Sequence, residues 1–187
     1  PDSLTHVFHT ADGREVRDGG GIKPDVEVRP DSLPNIAFYL ASSGRDSTEV
    51  MWNWELQYLK KHPAIGPAKT FVLSDADYED FKQTVLKSGF KYDRESRKYL
   101  ENLVKLAKFE GYYEDAKPEF DALEKKLSHN LAKDLDYNRQ PLKKLLTSDL
   151  VSAYYYQRGS LENSLQFDKQ WKKAVEILLN PAEYRKL

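Results

Sequence analysis

The residues best suited to chemistry are a pair of histidines and a cluster of carboxylates. His6 and His9 stand three positions apart in a stretch rich in β-formers. A strand would place them on opposite faces, so they could not chelate one metal ion. Asp75, Asp77 and Asp80 resemble part of a calcium loop, but the loop glycine and the final glutamate are missing. Acidic residues at a helix N-terminus explain this cluster better. We predict no metal site.

No other pattern indicates an enzyme. No serine has the context of a nucleophile elbow, and the glycines at 19–21 are followed neither by Lys-Ser/Thr nor by a helix, which argues against a phosphate loop. The chain has no cysteine, which excludes thiolate catalysis, zinc ribbons and disulfides. With 29 basic and 30 acidic residues it lacks the basic excess of duplex-binding proteins. No run of about 18 apolar residues could span a membrane. We predict no catalytic residue, no cofactor, no nucleic acid and no membrane span.

One helical segment carries an unusual amount of apolar surface. Residues 50–61 include Trp52, Trp54 and Tyr58, and apolar side chains occupy nearly all sides of the predicted helix. A helix that is apolar all round is normally buried on several sides, so one interpretation is a central core helix. The other is that one face docks another domain or a partner. On that second interpretation, Trp52, Trp54 and Tyr58 are candidate interface residues.

The elements that would position these side chains change character near residue 30. Before it, Thr5–Thr10 and Arg14–Arg17 read as two strands, joined at Asp12-Gly13 by a two-residue type I′ turn. The alternating residues 26–28 predict a further short strand. We assign residues 1–30 to this β segment and residues 31–187 to a helical domain. We expect residues 1–29 to be poorly ordered, to fold as a local hairpin at Asp12-Gly13, or to pair with a neighbouring chain.

From residue 31 onward the apolar period is 3.6. The fold class is therefore predicted to be mainly α, a helical, bundle-like domain preceded by the short β segment. Ser74 should cap a helix that buries Tyr78, Phe81 and Val85. Residues 46–49 have the spacing of a capping box, and Asp93 should cap a helix that buries Tyr99, Leu103, Leu106 and Ala107. Further helices are predicted over 117–135, 141–159 and 171–179. The helix at 117–135 and its successor should form an antiparallel pair.

Residues 10–28 carry a pattern of fixed positions that is typical of one protein family. They read Thr-x-x-Gly-Arg, a short stretch, and then Gly-Ile-x-Pro-Asp-Val-x-Val. The residues that carry this pattern are Thr10, Gly13, Arg14, Gly20, Gly21, Ile22, Pro24, Asp25 and Val26. The segment resembles the end of the protease domain of the carboxyl-terminal processing peptidases, or tail-specific proteases. Residues 64–73 and 151–159 resemble segments of the helical tail in a bacterial envelope branch of that family.

The resemblance implies a function for a longer protein. Members are serine endopeptidases that cleave proteins near their C-termini with a Ser–Lys dyad, and they usually carry a PDZ domain. The dyad lies upstream of the pattern, and Lys23 falls at a variable position, so the resemblance implies no catalytic residue here. Residues 1–30 would end the peptidase domain. Residues 31–187 would support the structure of the protease, help it to assemble, or recruit its substrate or an adaptor. Their partner would be the protease core, a substrate protein or another subunit, and the protease would work in the periplasm or cell envelope. The alternative is a stand-alone helical interaction module unrelated to proteolysis.

Overall fold

The computed structural model describes residues 5–18, 24–42, 48–92, 94–127 and 130–186. Within them, two short strands precede nine helices, which confirms the predicted mainly α fold with an N-terminal hairpin. The elements are β1 (Val7–His9), β2 (Glu15–Arg17), α1 (Asn35–Ala41), α2 (Val50–Lys61), α3 (Asp75–Lys87), α4 (Glu95–Glu110), α5 (Lys117–Lys126), α6 (Leu131–Tyr137), α7 (Arg139–Ser164), α8 (Lys169–Leu178) and α9 (Pro181–Tyr184).

Several predicted features lie outside the described residues. They are Gly20, Gly21 and Ile22 of the family pattern, two residues of the expected capping box, Asp46 and Ser47, and the expected helix cap Asp93.

The chain divides into two units by the proximity of its Cα atoms. One comprises the N-terminal segment through Pro30 together with the last residues from Lys169, and therefore contains the hairpin, α8 and α9. The other runs from Asp31 to Asp168 and contains α1 to α7. The final helices thus group with the N-terminal segment, although we had placed them with the other helices. The assignment of residues 1–30 and 31–187 to two functional domains stays a prediction.

The N-terminal hairpin forms with a different turn from the one expected. β1 and β2 pair antiparallel. The Gly13 amide donates to the Thr10 carbonyl at 2.9 Å, and the Thr10 amide donates to the Arg14 carbonyl at 2.9 Å. The loop therefore has three residues, and within it only Gly13 has a positive φ, of 81°. Asp12 stays in the ordinary region, so the predicted type I′ turn is wrong. A three-residue loop that ends in a left-handed glycine is the next common solution.

The predicted strand at 26–28 does not form. The described chain bends at Asp25 and Val26 and then runs without regular structure to the start of α1. A strand needs a hydrogen-bonded neighbour, and in the described residues the hairpin is a sheet of two strands only. The alternating segment 26–28 therefore has no neighbouring strand with which to pair. Instead, Asp25 forms an ion pair with Arg14 of the hairpin.

The core lies in the second unit, where α1, α2, α3, α6 and α7 pack together. As predicted, α3 buries Tyr78, Phe81 and Val85, and Ser74 caps it by accepting a hydrogen bond from the Asp77 amide at 3.0 Å. Further fully buried side chains are Ile36, Leu73, Leu135, Leu142, Leu146, Leu150 and Val151.

The expected burial of α4 is largely wrong. Tyr99, Leu103 and Leu106 are exposed, whereas Leu100 and Ala107 are buried. The packing partner of α4 is α5, a helix of ten residues that buries none of its own side chains. Periodicity identifies the apolar side of a helix, but it does not show whether a neighbour is large enough to cover that side.

The long helix expected at 117–135 is broken, so the predicted pair of long antiparallel helices is also wrong. α5 ends at Lys126, and Asn130 caps a separate α6 by accepting a hydrogen bond from the Lys133 amide at 3.0 Å. Asparagine is among the best N-cap residues. Its cap therefore starts a new helix here, although the leucine stripe continues from one helix to the next. The following helix, α7, runs past Gly159 and is interrupted at Tyr156, where φ is 56°.

Candidate functional site

The two tail segments singled out from the sequence lie against each other. The link between α2 and α3 follows the C-terminal half of α7, where the Tyr155 hydroxyl donates to the Gly66 carbonyl at 3.0 Å and lies 3.1 Å from that of Ile65. The Tyr154 hydroxyl donates to the carbonyl of His62. Tyrosine hydroxyls on the helix therefore replace the backbone partners that this irregular link lacks.

Two buried polar side chains of α7 complete this contact, and the sequence analysis missed both. Thr147 accepts a hydrogen bond from the Leu73 amide at 3.0 Å, and Asn163 donates to the carbonyls of Ala68 and Phe71 at 2.7 and 2.9 Å. Asn163 lies one turn after the buried glycine at 159. A small residue and an amide on one helix face could have indicated a closely approaching backbone.

The three candidate interface residues of α2 occupy different environments. Trp54 is 5% exposed and Tyr58 is 8% exposed, and the Trp54 indole donates to Asp80 at 2.9 Å. The ring of Trp54 also packs edge-on against Phe81. Trp54 and Tyr58 are thus core residues, which corrects their assignment to an interface. Trp52 is 60% exposed and is the one of the three that presents its ring to solvent. Its role in an interface stays a prediction.

A half-open cleft of about 680 Å³ lies beside Trp52, between α1, α2 and α7. Its walls are mostly apolar, and they include Leu40, Trp52, Leu56, Leu59, Leu150 and Ala153. Ligand sites in proteins are typically concave and apolar, with a few polar groups that fix orientation. The cleft has this composition, because acidic side chains also line it: Glu49 and, on two facing helices, a pair of carboxyl groups.

These two side chains are Glu55 of α2 and Asp149 of α7, which share a hydrogen bond. Glu55 is 8% exposed, and its Oε1 atom has no hydrogen-bond partner. Burial, and then the neighbouring Asp149 carboxylate, raise the pKa of Glu55 to about 8. Burial also raises the pKa of Asp149. Glu55 is therefore largely protonated at pH 7.

In the part of the chain that the structure describes, no three His, Cys, Asp or Glu side chains come together to hold a metal ion. The lysines of α3 and α7 with little exposure, Lys82 and Lys143, bind the carboxylates of Asp136 and Asp75 at 2.6 and 2.7 Å and not a serine. A Ser–Lys dyad needs the ammonium group beside a serine hydroxyl.

The described residues of the N-terminal pattern gather around the hairpin turn. Thr10 accepts a hydrogen bond from the Arg14 amide at 3.2 Å, Gly13 provides the left-handed turn position, and Arg14 pairs with Asp25. Pro24 and Val26 flank that carboxylate in the chain. These residues stabilise local structure. That they form the end of a protease domain stays a prediction.

The described residues form a mainly α fold with an apolar cleft, and a comparison with protein families identifies the family of this fold. A family model described as "Probable PDZ-protease, C-terminal helical domain" matches residues 38–178, which is most of the chain. The chain belongs to this family of helical domains of proteases. No curated protein and no solved structure matches it significantly. Among the described residues, no helix has both the length and the hydropathy needed to cross a bilayer.

Proposed function

We propose that this chain is the non-catalytic C-terminal part of a carboxyl-terminal processing serine peptidase of the bacterial envelope branch. The family of residues 38–178 and the pattern of residues 10–28 support this assignment. In this proposal residues 1–30 end the peptidase domain, residues 31–187 form the helical domain, and the Ser–Lys dyad belongs to the preceding part of the protease. The protease works in the periplasm or cell envelope.

The helical domain, in this proposal, recruits substrate proteins by holding a short segment of them in the cleft. The observation that carries it is Trp52, a large aromatic side chain 60% exposed at an apolar cleft of about 680 Å³. A permanent interface between subunits buries a broad surface, of roughly 2,000 Å² or more. A cleft of this volume fits a few side chains, which suits the transient binding of a short segment.

The test compares two substrates of the full-length protease. One is a short peptide that ends in a cleavable tail, and the other is a folded protein with the same tail. Trp52→Ser should raise the KM for the protein substrate and so lower its kcat/KM about tenfold. The kcat/KM for the short peptide should not change. The matched control is Phe109→Ser on α4, because Phe109 is 89% exposed but does not line the cleft.

Three outcomes separate this role from the alternatives. Loss of protein cleavage alone in the Trp52 variant supports recruitment. Equal loss with both substrates, together with a lower melting temperature, shows that the cleft supports the protease core instead. Unchanged cleavage of both substrates shows that the cleft takes no part in proteolysis.

The proposal also requires that this chain alone cleaves nothing. When the chain is incubated with a labelled tail peptide, label should be released no faster than in buffer without protein. A cleavage rate that falls on substitution of any serine or lysine of this chain would overturn the assignment as a non-catalytic domain.

A further inference from the structure

The buried Glu55 is the feature of the cleft that substrate recruitment by apolar contact leaves unexplained. An apolar residue at this position would continue the apolar surface of α2, yet the chain places a carboxyl group there with Oε1 unpaired. A buried oxygen without a donor is costly and is rare in native proteins. Glu55 lines the cleft, and because its Oε1 atom is itself buried, a small shift of the side chain would bring this oxygen to a donor that enters the cleft.

We propose that the cleft binds an arginine side chain of the recruited substrate segment, with the guanidinium on Glu55 and Asp149 and the neighbouring apolar side chains of the segment against the cleft walls. This inference rests on the proposed function, in which the segment belongs to a substrate protein.

Charge selects a cation for this position. The titratable groups that line the cleft are Glu49, which precedes α2, Glu55 within it, and Asp149 of α7. α1 contributes Leu40 and Ala41 to the lining. Among the described residues of the lining, every charged side chain is acidic.

Geometry selects arginine among the cations. Two carboxyl groups from two helices present several acceptor oxygens, and the planar guanidinium donates several N–H groups in a fixed fork. Guanidinium also loses less hydration than ammonium on entering apolar surroundings, and it stacks on aromatic rings such as the exposed indole of Trp52. A metal ion such as Ca²⁺ would need six or more oxygen ligands, and the described residues offer no such group.

Binding should displace the proton that Glu55 holds when the cleft is empty. With its pKa at about 8, Glu55 is largely protonated at pH 7 when the cleft is empty. A guanidinium beside it favours the carboxylate and lowers that pKa. Each binding event near neutral pH therefore releases up to about one proton. This proton release distinguishes arginine on the acid pair from arginine on the surface of the cleft.

The experiment is calorimetry on the 187-residue chain with the blocked peptide acetyl-Leu-Arg-Leu-amide. Titrations at pH 7 in two buffers with different ionisation enthalpies give the number of protons released. A citrulline peptide is the main control, because citrulline has nearly the same shape without the charge. It should bind about tenfold more weakly or worse, and a lysine peptide should fall between the two.

Glu55→Gln should weaken binding of the arginine peptide about tenfold and abolish proton release. The matched control is Glu162→Gln, an exposed position on α7 that pairs with Arg158, and it should change neither. Trp52→Ser is a second variant that leaves the acid pair intact, and it should weaken binding while proton release persists. Far-UV circular dichroism checks that each variant is folded.

Equal affinity for arginine and citrulline peptides would overturn the inference, as would proton release that survives Glu55→Gln or the absence of binding at millimolar peptide. Its failure is distinguishable from that of the proposed function. If the peptide binds as described but the Trp52 variant of the protease cleaves proteins normally, arginine binding stands and recruitment fails. If protein cleavage depends on Trp52 but citrulline binds equally well, recruitment stands and the arginine inference fails.

Discussion

Asn163, near the C-terminal end of α7, donates its side-chain amide to the backbone carbonyl of Ala68 at 2.7 Å. The same nitrogen lies 2.9 Å from the carbonyl of Phe71. The link between α2 and α3 has neither helix nor strand, so its buried carbonyls depend on side chains for their hydrogen bonds. Through this link, α7 holds the start of α3 and thereby the core of the second unit.

Removal of this amide should destabilise the fold. Asn163→Ala leaves the Ala68 carbonyl without its side-chain donor, whereas the Phe71 carbonyl keeps a bond from Gln166 at 3.1 Å. We expect the free energy of unfolding to fall by about 1–3 kcal/mol. Urea denaturation followed by circular dichroism measures the change. The control is Asn53→Ala, which removes an exposed bond from Asn53 to the Thr48 carbonyl and should cost less than about 1 kcal/mol. Equal losses in the two variants would show that the buried link does not depend on Asn163.

The glycine one turn earlier permits the close approach of the link. A Cβ atom at Gly159 would clash with Cβ of Tyr155 and would lie 3.3 Å from Cβ of Ala68. Gly159→Ala should therefore lower the free energy of unfolding by about 1–3 kcal/mol, despite the better helix propensity of alanine. The control is Gly66→Ala, where the new Cβ meets only one side-chain atom, at 4.0 Å. A stabilised Gly159 variant would contradict the close packing.

Trp54 and Trp52 offer a direct comparison of a core and a surface indole on one helix. Trp54→Phe removes the hydrogen bond to Asp80 and leaves a gap, so we expect a loss of about 2–3 kcal/mol in thermal or urea unfolding. Trp52→Phe should change stability by less than about 0.5 kcal/mol, because that ring is exposed. Comparable losses would mean that Trp52 also stabilises the fold.

Local sequence features predicted the elements whose signals are contained in a few neighbouring residues. Ser74 as the cap of α3 and the buried stripe of Tyr78, Phe81 and Val85 are examples, and the structure confirms them. The hairpin was also predicted, although its loop length was not. In each case the determining contacts lie within one helical turn or one hairpin.

The candidate site could not be predicted in the same way. Glu55 and Asp149 are 94 positions apart, and each reads as an ordinary surface acid until α2 and α7 pack together. The separation of Trp52 from the core residues Trp54 and Tyr58 also depends on where the neighbouring helices lie. The exposed apolar stripe of α4 is a further example, because the sequence indicates which face of a helix is apolar but not whether another element packs on it.

The acid pair should make stability fall as pH rises. The pKa of Glu55 is raised from 4.5 to about 8 in the folded protein, so the folded state binds a proton that the unfolded state releases. The stabilisation is complete below about pH 4.5 and is lost as pH rises through about 8. Over this window the free energy of unfolding should decline by up to about 1.4 kcal/mol per pH unit. Asp18 and Asp75, whose pKa values lie below 3.8, act at lower pH.

Glu55→Gln isolates this contribution, because glutamine fills the same space without titrating. Urea denaturation from pH 5 to pH 9 should show a smaller decline for this variant, in which burial still raises the pKa of Asp149, than for the unmodified chain and the Glu162→Gln control. The two profiles should therefore diverge most at pH 9, where Glu55 is ionised in both the folded and the unfolded state. An unmodified chain that is equally stable at pH 5 and pH 9 would show that the Glu55 carboxyl is well solvated, and the cleft would then have no reason to prefer a cation over a neutral donor.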